Sequence, residues 1–229
     1  MNNAQMLQKL YAMKDYDNEN SFAYKRYISE ELDVLIEELK LEIAKEKVGK
    51  PTEKKALALM KRLQKKGAKS QRPILQYMKL IEDKMYFTDS YFAIALNKDD
   101  TWLDTMNFHD ENSEGSYPDI KRIFDTTKTY NEFVQFAVTR AEVDYWRKTV
   151  KKEGYNGCQL VDFDMLGSDG NTYKTTINVK YLDYILTLLQ EDELVFQSRI
   201  KTVDKCIIAP FETYSEKGCG ICLPCRHYE

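Results

Sequence analysis

The sequence predicts an α+β fold on three observations. Apolar residues recur at helical spacing through the first 70 positions. The period then shortens towards two from Pro73. The last hundred residues run strand, helix, strands, without the strict alternation of a parallel βαβ sheet. At 229 residues the chain can build one large core or two small ones. Its 43% hydrophobic and 31% charged residues, with 16 Tyr and 10 Phe, belong to a chain that folds.

The elements follow in order. Ser29 can cap a helix with Leu32, Ile36, Leu39 and Ile43 on one stripe, with Glu30 and Glu31 at its positive end. After the break at Gly49-Lys50-Pro51, Thr52 can cap a second helix with the stripe Ala56, Leu59, Met60 and Leu63, ending near Gly67. Short strands are expected within residues 74 to 81, 85 to 87 and 91 to 96, and a polar loop or poorly ordered link over 97 to 118. A strand at 132 to 138 leads to Thr139, which with Glu142 three residues later spells a capping box opening a helix through Lys152. Strands at 158 to 165 and 172 to 177 precede Asn178, the cap of a helix bearing Leu182, Ile185, Leu186 and Leu189. Strands at 193 to 199, 204 to 209 and 220 to 225 close the chain. The expected organisation is a helical extension over 1–50, a partial lobe over 51–130 and a carboxy-terminal domain over 131–229.

Charge and composition narrow the function. Lys+Arg 34 against Asp+Glu 37 gives a net charge of -3, which excludes a histone-like coat of positive charge, so a polyanion partner must meet a local patch. No run approaches the roughly 20 apolar residues of a membrane span, and Met1-Asn2-Asn3-Ala4-Gln5 lacks a signal-peptide pattern, so a cytoplasmic location without membrane contact is expected. Five cysteines, at 158, 206, 219, 222 and 225, are an odd number with no sign of an oxidising compartment, and reduced thiols are expected.

Several chemistries can be tested against the residues. Val48-Gly49-Lys50-Pro51-Thr52 contains the Gly-Lys of a P-loop, but Ala44 stands where glycine is needed and Pro51 where Ser or Thr is needed. Cys219, Cys222, Cys225 and His227 are zinc-type ligands. Structural zinc usually draws on two separated pairs, which favours the plain reading of a last strand carrying small apolar cysteines, with no metal. Asp162 and Asp164 project from one face of a predicted strand, as two-metal phosphoryl transfer requires, yet an edge strand with a solvated acidic face gives the same pattern. With His109 and His227 the only histidines and no G-x-S-x-G, triad hydrolysis has no support. No catalytic residue and no cofactor is assigned.

The basic helices say more. Residues 54 to 72 carry Lys54, Lys55, Lys61, Arg62, Lys65, Lys66, Lys69 and Arg72 with no acid among them. Residues 140 to 152 add Arg140, Arg147, Lys148, Lys151 and Lys152, with Arg140, Arg147 and Lys151 opposite Val143, Trp146 and Val150 on a helical wheel. Two such faces suit contact with a phosphate backbone without base reading. The plain alternative is that the acidic helix, with Glu30, Glu31, Asp33, Glu37, Glu38, Glu42 and Glu46, pairs with its basic neighbour.

Four segments resemble the bacterial DNA polymerase III beta subunit, the sliding clamp. Arg72-Pro73-Ile74-Leu75-Gln76-Tyr77-Met78 followed by Phe87-Thr88-Asp89-Ser90-Tyr91 is similar to a clamp strand pair ending in a Thr-Asp-Gly turn. Glu114-Gly115-Ser116-Tyr117-Pro118-Asp119-Ile120-Lys121-Arg122-Ile123 resembles the Gly-x-Phe-Pro-Asp-Tyr-Arg-Arg-Val link between clamp domains. Ile177-Asn178-Val179-Lys180-Tyr181-Leu182-Asp183 resembles the Asn-x-x-Tyr-Leu helix start, and Ile221-Cys222-Leu223-Pro224-Cys225-Arg226 the closing strand with its Met-Pro-x-Arg ending. Together these segments cover residues 72 to 226.

The resemblance implies a processivity or tethering factor with no enzymatic activity, whose basic helices line a passage for double-stranded DNA. It implies DNA contacts at Lys54, Lys55, Lys61, Arg62, Lys65, Lys66, Lys69, Arg140, Arg147, Lys148, Lys151 and Lys152. It also implies a groove for polymerase or clamp-loader peptides, bordered by Thr88, Ser90, Tyr91, Ala93, Leu223, Pro224, Cys225 and Arg226. This sequence departs from the clamp pattern at Ser90, in place of glycine, and at Phe92-Ala93, in place of Arg-Leu. It is too short for three clamp domains, so a closed ring would be a homo-oligomer of more subunits than the bacterial dimer. Residues 1 to 50 have no clamp counterpart. Two alternatives keep their place: a clamp-fold interaction module without DNA binding, and a metal-dependent nucleotidyl-transfer enzyme using Asp162 and Asp164.

Overall fold

A computed structural model of the chain describes residues 50–98, 101–110, 115–126, 131–152 and 157–225, and before these only positions 6, 10, 32, 34–36 and 38–40. The fold is α+β. Two compact units divide the chain, Met1–Ala58 and Leu59–Glu229.

In the first unit, positions 32, 34–36 and 38–40 are helical, with Leu32 and Ile36 buried and Leu39 half-buried, as their spacing predicts. Ile43 and most of the acidic residues of that segment lie outside the described residues. Helix α1, Pro51–Ala68, runs from the first unit into the second. It starts one residue before the expected Thr52 cap. Proline is suited to a first helical position because its missing N–H has no partner there in any case. The Lys50 N–H donates to the Glu53 carboxylate at 3.4 Å instead.

The second unit is built on a seven-stranded antiparallel sheet in the order β1-β2-β3-β11-β10-β7-β4. Its strands are β1 (Lys79–Ile81), β2 (Lys84–Thr88), β3 (Phe92–Asn97), β4 (Phe133–Thr139), β7 (Glu193–Arg199), β10 (Phe211–Ser215) and β11 (Gly218–Cys222). A four-stranded sheet takes β5 (Leu160–Leu166), β6 (Thr172–Asn178), β9 (Cys206–Ile207) and β8 (Thr202–Val203), in that spatial order. Three further α-helices are described: α2 (Ile120–Thr126), α3 (Arg140–Thr149) and α4 (Val179–Leu189). The segments expected as 51–130 and 131–229 therefore share one sheet, because β3 pairs with β11 over Ala93↔Ile221 and Ala95↔Cys219.

Strand alternation sends side chains to two cores. On one face Tyr86, Ala93, Ala95, Cys219 and Ile221 pack with Tyr117, Ile120 and Phe124 of the α2 region. Phe92 and Gly220 point to the other face, where Phe92 meets the Tyr184 ring of α4 and Gly220 lies under Ile185. The Tyr117 hydroxyl sits 3.1 Å from the Tyr77 carbonyl and 3.0 Å from that of Tyr86, and burial pushes its pKa up.

The structure corrects the sequence reading at several places. Residues 73 to 76 form a single 3-10 turn, since Pro73 fixes φ and lacks the N–H a strand ladder uses, and after an isolated bridge from Met78 to Phe108 the β1 ladder begins at Lys79. The polar stretch over 97 to 118 holds a 3-10 turn, Thr101–Thr105, with Trp102, Leu103 and Met106 buried, so its described part is packed rather than a loose link. Helix α2 and strand β10 were not expected. Helix α3 ends at Thr149, leaving Lys151 and Lys152 beyond it rather than on its face. The strand expected at 204 to 209 is two short pieces around a turn at Asp204 and Lys205, both with positive φ.

Candidate nucleic-acid interface

Helix α1 places its cations by simple periodicity. Leu59, Met60, Leu63 and Gln64 are buried, and Lys54, Lys55, Arg62, Lys65 and Lys66 are exposed on the opposite arc, with Lys69 exposed one residue past the helix end. Lys61 lies at the border and donates to the Thr105 carbonyl. Gln64 is buried because it closes a pair of bonds with Asn107, donating to its carbonyl at 2.9 Å and accepting its N–H at 3.2 Å.

The α3 cations are held differently. Thr139 caps the helix, accepting the Glu142 N–H at 3.2 Å, while the Glu142 carboxylate accepts the Thr139 N–H at 2.8 Å. Asp183 of α4, 8% exposed, receives Arg140 on one carboxylate oxygen and Arg147 on the other, each at 2.7 Å. Both arginines expected to face DNA are therefore tied to a carboxylate on the neighbouring helix. The Arg147 side chain is still 51% exposed and keeps N–H groups for a second acceptor. Lys148, Lys151 and Lys152 are exposed.

Helix α4 joins the two cation sets. Asp183 binds the α3 arginines, and the next residue, Tyr184, has the Arg62 guanidinium of α1 5.8 Å from its ring centroid. Lys180 Nζ lies 4.5 Å from the Tyr181 centroid and 5.7 Å from that of Tyr184. Its pKa is held down by burial first and by repulsion from Lys66 next, partly offset by Asp89.

The residues expected to border a peptide groove separate in part. Ser90 has a positive φ and Tyr91 is 59% exposed. The Tyr91 carbonyl accepts the Leu223 N–H at 3.0 Å, which brings the turn and the end of β11 together. Thr88 is buried, its hydroxyl donating to the Phe92 carbonyl at 2.7 Å, and Ala93 packs on the α2 face of the sheet. Pro224 and Cys225 are half-buried, and Arg226 lies outside the described residues. Tyr91 stacks on Tyr181 with centroids 5.9 Å apart and 17° between planes, and Phe92 stacks on the same Tyr181 at 5.9 Å. Sequence reasoning missed Lys180, Tyr184, Asp183 and Asp89 as site residues. The signal was the Lys180-Tyr181-x-x-Tyr184 spacing, which puts both rings on one side of α4 beside the lysine.

Asp89 shapes this turn. Its Oδ1 accepts the N–H groups of Tyr91 at 3.0 Å and Phe92 at 3.2 Å, while burial pushes its pKa above the ordinary 3.8, against the pull of those bonds and of Lys180. A carboxyl with a raised folded pKa favours the fold while protonated. Its contribution is present below 3.8 and lost as pH rises through the folded value. Asp89→Asn keeps the acceptor and cannot ionise, so the urea midpoint of the variant should fall less than that of the wild type as pH rises from 3.8 through the folded value. Parallel midpoints across that range would show that Asp89 is not the titrating group.

The other candidates occupy ordinary positions. Asp162 accepts the Thr176 hydroxyl at 2.5 Å, and Asp164 lies 3.8 Å from Lys174 Nζ. Cys219 and Cys222 are buried in β11, and burial raises the Cys222 pKa. Among the described residues no group of three His, Cys, Asp or Glu side chains is placed to hold a metal ion, and no helix is long and apolar enough to cross a membrane.

No family model matches the sequence, and no curated protein does. Solved structures similar to this chain include bacterial DNA polymerase III beta subunits. The sliding clamp of Bacillus subtilis is similar over 78% of this chain and 63% of its own, at 14% identity and a TM-score of 0.48. The beta subunit of Streptococcus pyogenes is similar over 75% and 64%, at 16% identity and 0.45. The clamp of Bartonella birtlesii, solved bound to griselimycin, is similar over 66% and 57%, at 14% identity and 0.43. The chain thus spans less than two thirds of the length of each of these clamps.

Proposed function

We propose that the protein is a clamp-like DNA tether that contacts the phosphate backbone of a duplex without reading its sequence, recruits partner peptides and catalyses no reaction. The observation that carries this reading is the exposed cationic arc of α1, with Arg147 and Lys148 of α3 reached across α4. A row of cations without acids among them suits a polyanion and carries no base code. Partner peptides would meet Ser90, Tyr91, Leu223 and Pro224, which the Tyr91–Leu223 backbone bond holds together.

The test is duplex binding as a function of salt. Wild-type affinity should fall linearly on logarithmic axes, with a slope of about -0.9 per phosphate neutralised, and equally for unrelated sequences. Lys65→Ala, Lys69→Ala and Lys148→Ala combined alter exposed side chains only and should flatten that slope by about three units at unchanged melting temperature. A slope unmoved by the triple substitution, or no duplex binding at low salt, refutes the tether.

A further inference from the structure

Near Tyr91 the cations lie beside aromatic rings, a feature that duplex contact does not need. Lys180 stands over two rings of α4, Arg62 faces one of the same rings, and Lys66 and Arg62 both repel the Lys180 ammonium. Asp89 is the acid that offsets this crowd, and it is already engaged with two backbone N–H groups. Two cations held over a shared ring, with a third close enough to repel one of them, raise one another's cost, and an anion seated among them lowers it. Beside them Tyr91 presents its ring to solvent, fixed from beneath by Tyr181, which is itself backed by Phe92 and Tyr184. The chain's own aromatics back the ring from below, so what Tyr91 offers is a flat π-face.

A flat ring next to a cluster of cations matches one ligand chemistry, a base attached to a phosphate. We propose that Tyr91, with Lys180, Arg62 and Lys66, forms a stacking site for an unpaired nucleotide of a single strand. This goes beyond duplex tethering, with which it shares Arg62 and Lys66, since phosphate contacts along a duplex need no exposed ring. A strand is favoured over a free nucleotide because the face is open: one base on an exposed ring gains little alone, and linkage to further phosphates over Lys66 and Arg62 adds to it.

The experiment measures binding of a labelled ten-residue oligothymidylate, an abasic strand of the same length, free thymidine monophosphate and a duplex. The wild type should hold the oligothymidylate about tenfold or more tighter than the abasic strand and tighter than the nucleotide. Tyr91→Ala, a change at an exposed position, should lose about ten- to a hundredfold for the oligothymidylate and leave duplex affinity unchanged. Tyr91→Phe should keep most of the binding, and Lys180→Met should weaken both single strands. Equal affinity for thymidylate and abasic strands, an undiminished Tyr91→Ala variant, a preference for the free nucleotide, or binding of acidic aromatic peptides alone would each overturn the proposal. Loss of duplex binding with strand binding intact removes the tether reading and leaves this one standing.

Discussion

Phe92→Ala should lower the free energy of unfolding by about 3–5 kcal/mol, the range for truncating a large buried aromatic. Phe92 is 2% exposed and its ring touches three others: Tyr181 at 5.9 Å, Tyr184 at 5.6 Å and Phe87 at 6.1 Å between centroids. Removing it opens a hole under the Tyr181 ring on which Tyr91 rests. Urea unfolding is the measurement, with the m-value unchanged if the fold is kept. A loss below about 1 kcal/mol would mean that the aromatic stack relaxes into the hole, and that the turn at Asp89 is held by its hydrogen bonds alone.

Gly220→Val tests the opposite fault. Strand β11 passes so close to α4 that a Cβ at position 220 would stand 2.6 Å from Ile185 Cγ2. Both residues are buried, and the clashing atom is a methyl of a β-branched side chain that turns poorly at χ1. The expected cost is about 1–3 kcal/mol, at the upper end because a β-branched side chain adds two methyls beyond the offending atom. Pairing the change with Ile185→Ala should recover part of that loss, so the two substitutions together cost less than their sum. Strict additivity in the cycle would place the strain elsewhere.

Much of the fold was legible because local chemistry settled it. Thr139 with Glu142, Asn178 before Lys180, and the Leu59, Met60 and Leu63 stripe each act within one turn of helix, and each is found as spaced. What escaped depended on distant partners. Trp102, Leu103 and Met106 sit among polar neighbours that read as a loop, yet tertiary packing buries them. Phe211–Ser215 became a strand by pairing with β11 along its whole length, although Glu212 and Thr213 hid its apolar pattern. The candidate interface was legible to a similar degree. The cations of α1 announce themselves by number, whereas Asp183 reads as one polar residue in an apolar helix until the fold brings Arg140 and Arg147 to it. Lys180 gains its meaning from Lys66 and Asp89, which lie about a hundred positions away in sequence and next to it in space.

The place of β11 in the sheet has a consequence for synthesis. Residues 218–222 leave the ribosome after every other strand of this sheet, yet they occupy the fourth of seven positions in the strand order, with β3 on one side and β10 on the other. Until they emerge, the early meander keeps one edge open, and the later strands have nothing to join it to. Nascent chains must wait in that divided state, with an unpaired apolar edge at Phe92–Asn97 exposed to sticking. The keystone is laid last, and a holdase that shelters the edge meanwhile would raise the yield of native protein.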